Sequence, residues 1–179
     1  MIANILNAIT LSRIFCAILI YLILFLESNY SLALFLFFVA SFSDFLDGYL
    51  ARKTDSVSVL GEILDPIADK LLIVFVLIGL SINLDSFLIG FISAIIISRE
   101  IWVAALRDIN SRNNESDKTK VTFLAKTKTA IQMLAILMYL FGLTVNSMMI
   151  LFFADIILIV ALLVTIHTGF QYTISTFKK

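Results

Sequence analysis

Residues 43–70 read SDFLDGYLARKTDSVSVLGEILDPIADK, and they place four aspartates, Asp44, Asp47, Asp65 and Asp69, between two strongly apolar runs. An ionisable side chain inside a lipid-length helix is costly and is a functional candidate by default. At helical spacing Asp44, Asp47 and Ala51 share one face of the segment entering this stretch, and Asp65 and Asp69 share one face of the segment leaving it. The eight residues Lys53 to Leu60 supply a turn that sets the two segments antiparallel, so the four carboxylates are expected to meet in one partly desolvated volume. Left bare they would repel, and two divalent cations would cancel their formal charge. All-oxygen ligands suit hard ions, Mg²⁺ or Mn²⁺, rather than zinc. Two such ions about 3.5–4 Å apart form a clamp for phosphoryl transfer. The competing reading, aspartate as a helix cap or dipole partner, explains one such residue better than four at these spacings.

Composition sets the frame around this stretch. Of 179 residues, 61% are hydrophobic, well above the roughly 45–50% of soluble domains, and the mean hydropathy is +1.06. One proline and six glycines leave little punctuation for strands and hairpins. A bilayer-crossing helix needs about 20 apolar residues. Six stretches qualify, near 3–26, 31–52, 62–80, 84–108, 121–143 and 148–171, which predicts an all-α integral membrane protein with one domain over residues 1–179. The hydrophilic run DINSRNNESDKTK (108–120) reads as a loop. Net charge is zero, so nothing points to nucleic acid. Cys16 is the one cysteine, which excludes an intramolecular disulfide and a cysteine metal cluster.

The distribution of charge orients the chain. The connections near 27–31, 81–86 and 144–148 carry no Lys or Arg, whereas Arg52, Lys53, Arg107, Arg112, Lys118, Lys120, Lys178 and Lys179 gather on the other side. The positive-inside rule makes both termini and the loops near 53–61 and 108–120 cytoplasmic. The first span lacks a basic start and a small-residue cleavage site and reads as a retained helix of a cell-membrane protein. Intramembrane charges then concentrate near the cytoplasmic face, as expected for a polar, metal-containing cavity open to that side rather than a path through the bilayer.

The pattern Asp44-x-x-Asp47-Gly48-x-x-Ala51-Arg52, eight residues, then Gly61-x-x-x-Asp65-x-x-x-Asp69 resembles the signature of the CDP-alcohol phosphotransferases without a mismatch. The resemblance implies an integral membrane enzyme of six transmembrane helices, commonly a homodimer. Such enzymes move a phosphatidyl or related group from a CDP-linked donor to an alcohol and release CMP. It implies that Asp44, Asp47 and Asp65 bind metal, that Asp69 contributes to the metal site and is the general base, and that Gly48, Ala51, Arg52 and Gly61 line the CDP pocket. Small residues at these positions also allow helices, or a flat ligand, to approach closely.

Three further stretches are similar to family members that use CDP-diacylglycerol and glycerol 3-phosphate: NILNAITLSR (4–13), SREIWVAALRD (98–108) and AKTKTAIQM (125–133). Leu6 stands where those members usually have proline and Ala125 where they have glycine, departures that touch backbone geometry more than chemistry. Asn7, Thr10 and Arg13 form one stripe, which serves either helix–helix hydrogen bonding or a ligand pocket; Asn7 and Thr10 are taken as donor-binding candidates. An acceptor carrying its own phosphate needs cations. Arg107 and Lys128 are the first candidates for it and Arg112 and Lys126 the next, while Lys118, Lys120, Lys178 and Lys179 fit membrane anchoring. A family member using phosphatidylglycerol as acceptor is the nearest alternative, and a divalent-cation carrier the alternative outside enzymes. His167, Trp102 and Asp155 suggest no mechanism.

Overall fold

The computed structural model describes the backbone of residues 2–54, 59–120 and 123–178; within these, the side chains of 2–6, 44–54, 59–60, 62, 116 and 126 lie outside the description. The described residues form long helices α1 (Ile2–Phe25), α2 (Tyr30–Thr54), α3 (Val59–Asn83), α4 (Phe87–Arg112), α5 (Phe123–Thr144) and α6 (Met148–Phe177), with a 3₁₀ turn at Ser116–Thr119. Cross-helix bonds fix their directions. Thr10 meets Asp65 and the Leu24 carbonyl meets Asn83, so α1 and α3 run parallel. Lys70 faces Glu100 near one end of α3 and Ser81 meets Ser86 at the other, so α4 runs back along α3. Gln132–Thr165 and Tyr139–Asp155 set α5 against α6 in the same antiparallel way.

Short connections at 26–29, 84–86 and 145–147 close one end of this up-down bundle. Glu27, Asp85 and Asn146, each at positive φ, end α1, α3 and α5 there. The following N–H groups of Ser28, Ser86 and Ser147 reach back five residues to Ile23, Ser81 and Gly142 carbonyls, which satisfies acceptors a helix end leaves open.

Ile20, Leu24, Phe37, Leu72, Val76, Ile92, Ile136 and Leu158 belong to a buried core drawn from all six helices. Gly79 admits α1 closely, since a Cβ there would lie 3.0 Å from Leu24 Cδ1. Outside this core Phe15, Phe35, Phe38, Phe91, Phe152 and Leu163 are exposed. A continuous apolar mantle of this kind is unfavourable in water but matches hydrocarbon. Among the described residues four helices are long and apolar enough to cross a membrane: 7–25 of α1, α4, α5 and α6. The apolar part described in α2, Tyr30–Ser43, is shorter. The chain is an all-helical, multi-pass membrane protein.

Two helices outrun their apolar stretches. α4 continues through Arg112, where the sequence suggested a loop from residue 108; its last turns bury Asn110 against Thr176 of α6, with a small addition from the exposed Asp108–Arg112 pair at 2.7 Å. α6 continues to Phe177 because its polar end docks on the segment before α5: Ser175 Oγ donates to the Lys118 carbonyl at 2.7 Å and Asn110 Nδ2 donates to Thr176 Oγ1 at 3.0 Å.

Candidate active site

The end of the bundle opposite the short connections holds two groups of charged side chains that open onto a common cavity. The first lies between α1 and α3. Asp65 and Asp69 stand one helical turn apart, and the same face of α1 presents Thr10 and Arg13 to them. Thr10 Oγ1 donates to Asp65 Oδ1 at 2.6 Å, and Arg13 Nη1 donates to Asp69 Oδ1 at 2.8 Å. Arg13 Nη2 also lies 3.8 Å from Asp65 Oδ1. The Arg13 side chain is 1% exposed, against 48% for Asp65 and 31% for Asp69. A buried guanidinium thus spans two carboxylates that still reach the open side. Oxygen-only donors, partly accessible and a turn apart, fit a hard divalent cation. Among the described residues no three acidic, histidine or cysteine side chains converge on a metal position. Asp44 and Asp47, the other half of the expected ligand set, lie outside the described side chains, as do Gly48, Ala51, Arg52 and Lys126.

The second group joins α3, α4, α5 and α6. Glu100 is its centre. Arg99 Nη1 donates to Glu100 Oε1 at 2.8 Å, Lys128 Nζ donates to the same oxygen, and Lys70 Nζ stands 3.7 Å from Glu100 Oε2. Arg99 is oriented from behind by α6: Nη2 donates to Thr168 Oγ1 at 2.9 Å. Gly169 leaves room for its stem, since a Cβ there would lie 3.1 Å from Arg99 Cγ. The Tyr172 ring lies under two guanidinium groups, with Arg99 5.7 Å and Arg107 5.6 Å from its centroid, a cation–π geometry. Gln132 Nε2 donates to Thr165 Oγ1 at 3.1 Å behind the cluster.

A cavity of about 580 Å³ connects the groups. Its lining includes Asp69, Lys70, Arg99, Glu100, Arg107 and Lys128, together with the apolar walls Ile73, Ile96 and Ile101. Three sequence-derived candidates, Asp69, Arg107 and Lys128, therefore share one cavity, and Asp65 adjoins it through Thr10 and Arg13. Gly61 is buried one turn before Asp65, and Asn7 lies one turn before Thr10. Arg112 does not join them: it is exposed and paired with Asp108. Five residues of helix turn it about 140° away from Arg107. Lys128 carries a constraint absent from sequence reasoning, the carboxylate of Glu100.

The sequence puts Arg13 on a stripe for helix–helix bonding or a ligand pocket and counts Arg99 among the cations of its stretch, whereas Glu100 and Gln132 carry no expected role. Arg99-Glu100 inside an apolar run was a signal in its own right. In α6, Thr165, Thr168 and Tyr172 recur at spacings of three and four, a polar stripe that marks the face toward the cluster.

Residues 3–167 match the family model described as CDP-alcohol phosphatidyltransferase. The chain belongs to that family. Similar proteins include one from Rickettsia bellii, 38% identical over 172 residues, covering 94% of this chain and 93% of the relative. One from Haemophilus influenzae is 38% identical over 149 residues, covering 82% and 78%, and one from Escherichia coli is 31% identical over 135 residues, covering 74% of each. All three bear the name CDP-diacylglycerol–glycerol-3-phosphate 3-phosphatidyltransferase. Members of the family are in general divalent-cation dependent.

Proposed function

We propose that the protein transfers the phosphatidyl group of CDP-diacylglycerol to glycerol 3-phosphate, giving phosphatidylglycerophosphate and CMP. The observation that carries this reading is the single cavity with Asp69 on one wall and Arg99, Arg107 and Lys128 on the others. Such a cavity can hold an alcohol at a carboxylate and a phosphate at cations in the same molecule. The printed names of the relatives point to the same pair of substrates.

In this reading the acyl chains stay in the bilayer and the cytidine diphosphate is bound by Asn7, Thr10, Gly48, Ala51, Arg52 and Gly61. Asp69 accepts the proton of the acceptor's 1-hydroxyl as that oxygen bonds to the phosphorus bearing diacylglycerol. The bond from that phosphorus to the CMP oxygen breaks, and CMP leaves with the electron pair. Arg107 and Lys128 hold the acceptor's phosphate so that its hydroxyl lies at Asp69. Two Mg²⁺ or Mn²⁺ ions, held by Asp44, Asp47, Asp65 and Asp69, would supply charge stabilisation at the diphosphate.

The assay that tests this offers purified protein CDP-diacylglycerol and a panel of acceptors, with products identified by mass. Phosphatidylglycerophosphate and stoichiometric CMP are expected. Product from phosphatidylglycerol alone would replace the acceptor assignment, and metal flux into proteoliposomes without CMP release would remove the enzyme reading.

The same proposal includes one transmembrane domain over residues 1–179, six spans, a homodimer, and a cell-membrane location with cytoplasmic termini and active site. The alternating helix directions and the gathering of Arg13, Asp65, Asp69, Glu100 and Lys128 at one end support the orientation. In a Cys16→Ser background, cysteines substituted at Asn29, Asn83 and Ser147 are expected to react with an impermeant thiol reagent on intact cells, and one at Asn114 to stay protected. The reverse pattern would put the cavity on the outer face.

A further inference from the structure

We propose that Glu100 is the positioning residue of the acceptor site: its carboxylate holds Lys128 and Arg99 in place to receive a phosphate, although it binds no substrate itself. The inference rests on the acceptor reading above and assigns the device that organises it.

Three features of the cluster carry it. First, Glu100 on α4 receives Lys128 from α5 and Arg99 from its own helix, and faces Lys70 on α3. A lysine stem with four rotatable bonds gains little order from a cavity unless its ammonium is held. For Lys128, whose side chain is 6% exposed, the holding group among the described residues is Glu100. Second, charge is matched to the ligand. Among the described residues lining the cavity, four cations (Lys70, Arg99, Arg107 and Lys128) face two carboxylates (Asp69 and Glu100), a net charge of +2. A phosphate monoester near neutral pH carries close to −2. Without Glu100, mutual repulsion would drive the long cationic side chains apart before any ligand arrived. Third, Arg99 is held as part of the cavity wall. Thr168, Gly169 and Tyr172 keep its guanidinium plane fixed from the α6 side.

The sign of the effect separates positioning from competition. Were Glu100 a mere competitor for the cations, Glu100→Gln would tighten anion binding. If it positions them, the loss of Lys128 and Arg99 geometry dominates and anion binding weakens.

The test uses full-length protein in nanodiscs. Calorimetric titration with inorganic phosphate and with glycerol 3-phosphate gives affinities without turnover, and steady-state assays give KM for donor and acceptor. Glu100→Gln is expected to weaken both probes by about tenfold or more, the scale of one lost charge-assisted hydrogen bond. Acceptor KM rises in parallel and donor KM stays within about twofold. Glu100→Asp, charged but one methylene shorter, is expected to fall between the two, and it carries the test alone if the Gln variant does not fold. The double variant Glu100→Gln/Lys128→Ala is expected to bind the probes better than the product of the two single losses would give, because part of the effect of Glu100 passes through Lys128 and only the part through Arg99 remains. Unchanged or tighter phosphate binding in Glu100→Gln would overturn the proposal. So would multiplying losses in the double variant, equal rises in donor and acceptor KM, a wild type that binds neither probe, or a Glu100→Asp protein indistinguishable from wild type. An enzyme that turns over only phosphatidylglycerol, yet loses phosphate binding in Glu100→Gln, would overturn the glycerol 3-phosphate assignment and uphold the role of Glu100.

Discussion

Asp69→Asn is expected to lower CMP release by about 10²–10⁴-fold, the range spanned by loss of a general base, while CDP-diacylglycerol still binds. The substitution is nearly isosteric. The amide oxygen of the substituted side chain can accept the same bond from Arg13 that Asp69 Oδ1 accepts at 2.8 Å, so the α1–α3 contact survives and a loss of activity does not reduce to unfolding. What disappears is a negative oxygen able to take a proton or touch a cation. A base acts mainly in the transition state, so the loss appears in kcat more than in donor affinity. Calorimetry with CDP-diacylglycerol in nanodiscs and a CMP-release assay separate the two quantities. Near-normal turnover by Asp69→Asn with Mg²⁺ and glycerol 3-phosphate would remove Asp69 from the role of base. Equal losses in donor affinity and turnover would leave it a binding group alone.

The helices were legible because long apolar runs with little Gly or Pro favour helix. Six helices fall within a few residues of the expected stretches along most of their length, and four of them, among the described residues, are long and apolar enough to cross a membrane. The exceptions are the ends of α4 and α6, where helix persists beyond apolarity. There the Asn110–Thr176 contact and hydroxyl contacts to the 118–120 segment stabilise the last turns, and a hydropathy window is blind to both. The candidate site was legible to the extent that it rests on spacing within one helix. Asp65 and Asp69 are a turn apart in any α-helix, and Arg107 and Lys128 lie in motifs quoted whole. Partnership across helices was not legible. That α1 lies parallel to α3, with Arg13 against Asp69, is a tertiary fact that no spacing encodes. Glu100 was visible only as an acid beside an arginine; its grip on Lys128 requires α4 and α5 to be adjacent. Arg112 illustrates the converse, a cation near Arg107 in sequence but turned by helix geometry onto another face.

Arg13 yields the second large expectation, and its signature differs from that of a lost ligand. Arg13→Ala is expected to cut turnover by about 10²-fold, the cost of a misplacement near 1 Å in a reacting group, because Asp65 and Asp69 lose the buried fork that spans them. Stability is expected to fall by about 1.5–3 kcal/mol, the worth of a hydrogen bond to a charged group. A larger loss is not anticipated, since Asp65 and Asp69 are partly exposed and can rehydrate once Arg13 is gone. The metal dependence should move the other way. Arg13 puts a positive charge 2.8 Å from Asp69 Oδ1, where it opposes any divalent cation held by the same carboxylates. Its removal leaves a more negative pair of oxygens, so half-maximal activity is reached at lower Mg²⁺ although the maximum is lower. Arg13→Lys keeps the charge but lacks the planar fork that reaches both aspartates, so it should recover the metal dependence better than the turnover. Mg²⁺ titrations of CMP release and melting midpoints of the three proteins provide the measurement. A parallel loss of turnover and metal affinity in Arg13→Ala would mean that Arg13 only keeps the carboxylates folded in place, and wild-type turnover would show that the Arg13–Asp69 contact is dispensable to the reaction.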